Sequence, residues 1–381
     1  MILITINIQK TIFDVLGLKK YSYICRKSKP FISIMIMKRT RRIILSMWVL
    51  LTFCLFGYAQ KSETEKKIVV AYVTSWSKIM PDSKMMTHIN YAFGHVNDTF
   101  DGVRVDNPDR LKQIVALKKE NPELKVLISI GGWGSGRFSE MAADKKFRKS
   151  FAKDCQRVVK EFKLDGVDID WEYPTSSAAK ISSSPQDTEN YTLLMHDIRK
   201  AIGKKKLLTL ASAASAKFID FPSIIPYIDF VNIMAYDMAN APKHQSSLFR
   251  SDISGRRTGE ESVKAHVEAG LPLDMLVFGM PFYGRGNNKE FPINYDFNEK
   301  GYSKEYTEKW DDVAKVPYLV DKDGKMVMGL ENPRSLAAKC QYIWNTGLLG
   351  GMYWEYSDDN EQGDFRRTLY ENLMLKRPDG K

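Results

Sequence analysis

The stretch Leu164-Asp165-Gly166-Val167-Asp168-Ile169-Asp170-Trp171-Glu172-Tyr173-Pro174 alternates carboxylates with large apolar residues at a period of two. On a β-strand successive side chains point to opposite faces. Asp168, Asp170 and Glu172 therefore share one face, and Val167, Ile169 and Trp171 share the other. Same-face neighbours lie roughly 6–7 Å apart along a strand. Three carboxylates that close do not all ionise cheaply, so at least one is expected to keep its proton near neutral pH. A carboxyl held protonated is what acid-catalysed bond cleavage requires. A solvated edge strand would also carry acids on one face. It would not explain a strongly apolar opposite face or the abrupt end at Tyr173-Pro174.

Outward from this strand, apolar β-branched runs recur. Strands are expected near Ile68–Ser75, His88–Phe93, Val126–Ile130, Gly166–Trp171, Leu207–Ala213, Phe230–Tyr236, Leu276–Pro281 and Gly350–Tyr356. Most read as buried on both faces, as in a covered parallel sheet. Asn107-Pro108 opens a helix that ends near Asn121-Pro122. Helical periodicity also marks Asp144–Phe162, Glu189–Ile202, Glu260–Ala269, Pro333–Trp344 and Phe365–Leu375, with Gly203 and Gly270 as stops. The first crossover, Trp76 to Met86, is too short for a full helix. Eightfold strand–helix alternation predicts an α/β protein, a (β/α)8 TIM barrel. A doubly wound sheet would want a glycine-rich turn after its first strand, and Gly131-Gly132 lacks the third glycine of that fingerprint.

One connection is long. About fifty residues separate the seventh strand from the helix at Pro333, and they include Asn294–Phe297, Trp310-Asp311-Asp312 and Val316–Val320. Their aromatic content predicts a small α+β insertion between the seventh strand and seventh helix, over 287–331.

The N-terminal region reads as targeting. Lys38-Arg39-Thr40-Arg41-Arg42 precedes the uncharged run Ile43 to Tyr58 and then Ala59-Gln60, the order of a signal peptide over 37–59. The run has 16 residues, just short of a membrane span. Membrane attachment is expected only if this segment is retained, and Phe53 before Cys54 disfavours a lipid anchor there. Met37 directly precedes the basic cluster, so residues 1–36 are expected to be an over-extended start; a long n-region is the alternative. The catalytic barrel is then 60–381, secreted or periplasmic. Residues 1–59 hold ten Lys/Arg and one acid, so the formal charge of +11 falls to +2 without them. No nucleic-acid partner is implied. Cys155 and Cys340 lie in separate helical segments and are expected as free thiols. His88, His95, His196, His244 and His266 show no ligand spacing, so neither a metal nor another cofactor is expected.

With these residues in view, the chain resembles a family-18 glycoside hydrolase, the chitinase family, over about Ile68 to Asp359. The centre of the resemblance is the D-x-x-D-x-D-x-E pattern at Asp165, Asp168, Asp170 and Glu172. Ser129-Ile130-Gly131-Gly132-Trp133, Met234-Ala235-Tyr236-Asp237, Met280-Pro281-Phe282-Tyr283-Gly284-Arg285 and Met352-Tyr353-Trp354-Glu355 support it, each at a strand's C-terminal end. The resemblance implies substrate-assisted retention, with the sugar's acetamido oxygen attacking the anomeric carbon. It makes Glu172 the general acid, Asp170 the residue that orients the acetamide, Asp168 the partner that shares its proton, and Tyr236 the donor to the acetamide carbonyl. Met234, Asp237 and Arg285 would line that pocket, with Trp354 beneath the scissile sugar. Tyr72, Phe93, Trp133, Tyr173 and Tyr283 are further lining candidates, since flat aromatic rings suit sugar C–H faces.

The expected activity is cleavage of β-1,4 bonds in chitin or chito-oligosaccharides, by a monomer. An endo-β-N-acetylglucosaminidase acting on N-glycan cores would share the site. A chitin-binding lectin that does not cut is the alternative of another class. Such lectins commonly lack the acid, and here Glu172 is present with Asp170, Asp168 and Tyr236.

Overall fold

The computed structural model describes residues 66–286 and 305–375. The expected leader segments, 1–36 and 37–59, lie outside the described residues. In chain order the first elements are β1 (Ile68–Thr74), β2 (His88–Val96), β3 (Val103–Val105), α1 (Pro108–Ala116) and β4 (Lys125–Gly131). Then come α2 (Phe138–Ala143), α3 (Lys145–Glu161), β5 (Gly166–Asp170), α4 (Asp187–Ile202), β6 (Leu207–Ala213), α5 (Phe221–Ile224), β7 (Phe230–Met234) and α6 (Gly259–Glu268). The chain continues through β8 (Leu276–Pro281), β9 (Arg285–Gly286), β10 (Thr307–Asp311), β11 (Val316–Val320) and β12 (Met326–Gly329). It closes with α7 (Pro333–Thr346), β13 (Gly350–Trp354) and α8 (Asp364–Leu369).

Eight of these strands, β1, β2, β4, β5, β6, β7, β8 and β13, run parallel, and β1 pairs with both β2 and β13. That double pairing closes the sheet into the expected (β/α)8 barrel. The period of two read on the central strand divides two cores. Val167, Ile169 and Trp171 join the outer core, packed with Phe151 and Val158 of α3 and Leu194 and Ile198 of α4. Trp171 stacks on Phe138 at 5.3 Å and 13°. The same alternation on β1 sends Val70 and Tyr72 to the inner core, with Phe230, Tyr236 and Met352.

Local chemistry sets the helix ends. Asn107 caps α1 by accepting from the Arg110 N–H, with Pro108 in the first turn. Asp144 caps α3 through the N–H groups of Lys146 and Phe147. Thr258 and Glu261 form a reciprocal capping box on α6. The Trp76–Met86 crossover holds only a 3-10 turn, Ser83–Met85. Two helical details differ from expectation: α2 is an extra helix, and the crossover from β6 to β7 has only the short α5 followed by a 3-10 turn. Six- and four-residue helices are too short for hydrophobic periodicity to reveal.

The described part of the insertion is an antiparallel sheet in the order β10-β11-β12-β9. It begins at Arg285, two residues before the expected boundary, because β9 pairs with β12 through Met328–Gly286 and Gly329–Arg285. The expected insertion is α+β; its described residues form strands, and residues 287–304 lie outside the described residues. Buried groups tie the sheet to the barrel. His244 Nε2 lies 3.1 Å from Asp311 Oδ2, and Glu331 accepts hydrogen bonds from Ser246, Ser335 and Lys339. Cys155 on α3 and Cys340 on α7 are buried and unbridged. Among the described residues no helix is long and apolar enough to cross a membrane.

Candidate active site

The acidic strand delivers its carboxylates in a graded order of depth. Asp168 is fully buried, and four donors converge on it from four other strands. Tyr72 Oη (2.9 Å) and Ser129 Oγ (2.8 Å) donate to Oδ2, while Thr209 Oγ1 (2.6 Å) and Asn232 Nδ2 (3.2 Å) donate to Oδ1. Strand register explains two of them: Ser129 on β4 and Thr209 on β6 lie directly opposite Asp168. Burial pushes the Asp168 carboxyl above its ordinary range, and these hydrogen bonds pull it back.

Asp170 sits one step nearer the mouth, 4% exposed. Its Oδ1 is buried without a hydrogen-bond partner. Burial raises its carboxyl well above the ordinary range, and repulsion from Glu172 and then Asp168 adds to that. Glu172 lies just past the strand's end and is half-buried. Burial, with the charge of Asp237 as a further push, raises its carboxyl to about 7. Neighbouring acids held on one face and partly dehydrated are the arrangement the sequence predicted.

A close backbone approach supports this wall. Gly131 lies opposite Asp170 and has φ 133°; a Cβ there would stand 1.9 Å from the Asp170 carbonyl oxygen. The Gly132 N–H donates to that same oxygen at 2.9 Å. The glycine pair therefore serves strand contact, which is why it has no phosphate-loop fingerprint. Three non-proline peptide bonds at this face, Ala92–Phe93, Glu172–Tyr173 and Trp354–Glu355, are cis.

Above the acids opens a cleft of about 1190 Å³. Every sequence-predicted site residue except Asp168 lines it: Glu172, Asp170, Tyr236, Trp354, Met234, Asp237, Tyr283, Arg285, Tyr173, Trp133, Phe93 and Tyr72. Asp168 lies beneath, bonded to the Tyr72 hydroxyl. Phe93 stacks on Trp354 at 5.5 Å and 22°, and Tyr72 meets the same indole at 5.7 Å. Phe93 faces inward because the β2–β4 register slips between Ala92 and Gly94, so one residue is inserted there. Asp237, at φ 57°, accepts from the Tyr283 hydroxyl at 2.7 Å and from Arg285 through Nε (2.8 Å) and Nη2 (2.7 Å). Tyr236 packs edge-on against Tyr283. β7 ends at Met234 rather than Tyr236, and a tight turn from Ala235 N–H to Ile233 C=O brings Tyr236 inward.

Other lining residues escaped the sequence reading, among them Trp76, Lys217, Phe218, Arg256, Arg257 and Asp358. Trp76, 61% exposed, lies 6.4 Å from Phe93. It lies two residues past the end of β1, a position that could have marked it. Phe218 stacks on Tyr173 at 4.9 Å and 9°, and nothing in a loop sequence announces such a partner. Among the described residues no cluster of His, Cys, Asp and Glu has a metal-binding arrangement.

Dehydrated acids at the C-terminal ends of barrel strands, roofed by an aromatic cleft, define the class: a barrel hydrolase of glycosidic bonds. The chain belongs to glycosyl hydrolases family 18, whose family model matches residues 68–359. It is 30% identical to chitinase A1 of Niallia circulans, over 90% of this chain and 64% of that protein. It is 28% identical to chitotriosidase-1 of Mus musculus, over 81% of this chain and 78% of the relative. Among solved structures, a family-18 N-acetylglucosaminidase from Paenibacillus barengoltzii superposes with a TM-score of 0.74 at 32% identity. That match covers 81% of this chain and all of the other.

Proposed function

We propose that the protein is an exported enzyme that hydrolyses β-1,4 bonds next to N-acetylglucosamine in chitin or chito-oligosaccharides. The observation that carries this reading is Asp170 Oδ1, buried and without a partner between two other carboxyls. A buried acceptor left unmet is costly unless a ligand completes it, and an acetamide N–H is a donor of the right kind. The names of the relatives, chitinase A1 and chitotriosidase-1, point the same way.

Glu172, protonated up to about pH 7, donates to the glycosidic oxygen as the bond to the anomeric carbon breaks. The acetamido carbonyl oxygen of the same sugar forms the new bond to that carbon, giving an oxazolinium ion. Asp170 accepts the acetamide N–H, and its charge is worth most when the ion forms. Asp168 takes a share of the Asp170 proton and so helps set that charge. The Tyr236 hydroxyl donates to the acetamide carbonyl and aligns it. Water, activated by the Glu172 carboxylate, then opens the ring with net retention. Trp354, stacked on Phe93, supplies the floor under the reacting sugar.

Export through residues 37–59 and action as a monomer belong to this proposal. The test is incubation of the protein with chito-oligosaccharides and, separately, with a high-mannose glycopeptide. Early-time NMR should find chito-oligosaccharide cleaved, with the β-anomer formed first. An α-anomer first would exclude retention, and cleavage of the glycopeptide alone would assign the N-glycan core as substrate.

A further inference from the structure

Lys217, Arg256 and Arg257 line the cleft and form no ion pair among the described residues, and Arg257 is engaged by the main-chain carbonyl of Glu261, to which it donates at 3.2 Å. Lys217 follows β6 beside Phe218, and Arg256 lies on the connection that leads into α6. Arg285, also at the cleft, is held by Asp237, and Arg250 on the same connection as Arg256 is held by Glu261. Among the described residues neither Lys217 nor Arg256 takes part in an ion pair. Arg256 instead donates to the main-chain carbonyl of Asp237 at 3.3 Å, which places its guanidinium at the edge of the catalytic pocket. Lys217 precedes Phe218, which stacks on Tyr173, and all three line the cleft. At the far end, near Trp76 and Trp354, the cleft has an acid, Asp358, instead of a cation.

Glu172 and Asp358 do little to offset these charges in weakly acidic solution. Burial pushes Glu172 to about 7, and burial followed by repulsion from Glu355 pushes Asp358 to about 7. Asp237 is already engaged by Arg285. The rim is therefore positive on one side only, and an asymmetric field of this kind selects and orients charged ligands.

We propose that the cleft takes N-acetylhexosamine glycans that bear carboxylate groups, with Lys217 and Arg256 engaging the carboxylate of a sugar bound between the Tyr173–Phe218 stack and Asp237. This rests on the glycosidase reading above and narrows its substrate class. Neutral chitin would be cut by the same catalytic groups, but without the contribution of the rim.

The test compares chitohexaose with a 6-carboxylated chitohexaose of the same length, using Glu172→Gln to hold each uncleaved. Calorimetry at low salt and pH about 6 should find the carboxylated chain bound about fivefold or more tighter, and the preference should shrink with added salt. In the triple variant that also carries Lys217→Ala and Arg256→Ala, the ratio of the two affinities should fall to about one. Equal binding of the two chains, or a preference that survives both substitutions, overturns the proposal. Failure of the wild type to cleave either chain would instead sink the glycosidase reading, and the binding ratio would still decide the role of the rim.

Discussion

Replacing Glu172 by glutamine should change how stability depends on pH. The Glu172 carboxyl is raised from 4.5, its ordinary value, to about 7 in the folded protein. The folded state therefore keeps a proton that the unfolded chain releases. Its contribution is fully present below pH 4.5 and is lost as pH climbs through 7. A tenfold change in proton affinity corresponds to about 1.4 kcal/mol, so the whole effect is on the order of 3 kcal/mol. The amide of the Glu172→Gln variant is neutral throughout and loses nothing over this range. The variant should match wild type near pH 4.5 and gain on it progressively up to pH about 8, where its Tm should be higher by roughly 5 °C for a domain of this size. Thermal scans at matched rates across that range make the comparison. Parallel Tm curves for the two proteins would refute the claim that Glu172 is dehydrated and holds its proton.

The same proton should appear in catalysis: the alkaline limb of kcat/KM should fall near pH 7, and a limb below pH 5 would contradict an acid held by burial. Asp170→Asn should lower kcat far more than it raises KM, because its charge acts when the oxazolinium forms; a change confined to KM would reduce Asp170 to a binding group. Ile169→Ala, on the opposite face of the acidic strand, should destabilise the fold by about 2–4 kcal/mol in denaturant titration, and a cost under about 1 kcal/mol would contradict its place in the outer core. Thiol counting under denaturing, non-reducing conditions should find Cys155 and Cys340 both reactive, and a bridge between them would contradict their separate helices.

The barrel was legible because its signal is repetitive. Most of the barrel strands are apolar runs covered on both sides, and β6 and β8 match their expected ranges residue for residue. The carboxylate strand was legible because a period of two fixes faces without knowledge of the partners. Partners themselves were not legible. The four donors to Asp168 come from β1, β4, β6 and β7, and only closure of the sheet brings them together. The ring of Phe93 marks it as a lining candidate, yet its inward aim depends on an inserted residue in β2 that no propensity encodes. The rim cations Lys217 and Arg256 were invisible for a related reason. An exposed loop cation reads as ordinary surface until the fold places it at the edge of a cleft.

Turnover depends most directly on Glu172 as the acid. The decisive measurement is the turnover of chitohexaose by Glu172→Gln, with binding followed in parallel. The amide keeps the shape of the carboxyl but has no proton to give, so the rate should drop about 10²–10⁴-fold or more while the oligosaccharide still binds. A variant that retained a tenth of the wild-type rate would contradict the assignment.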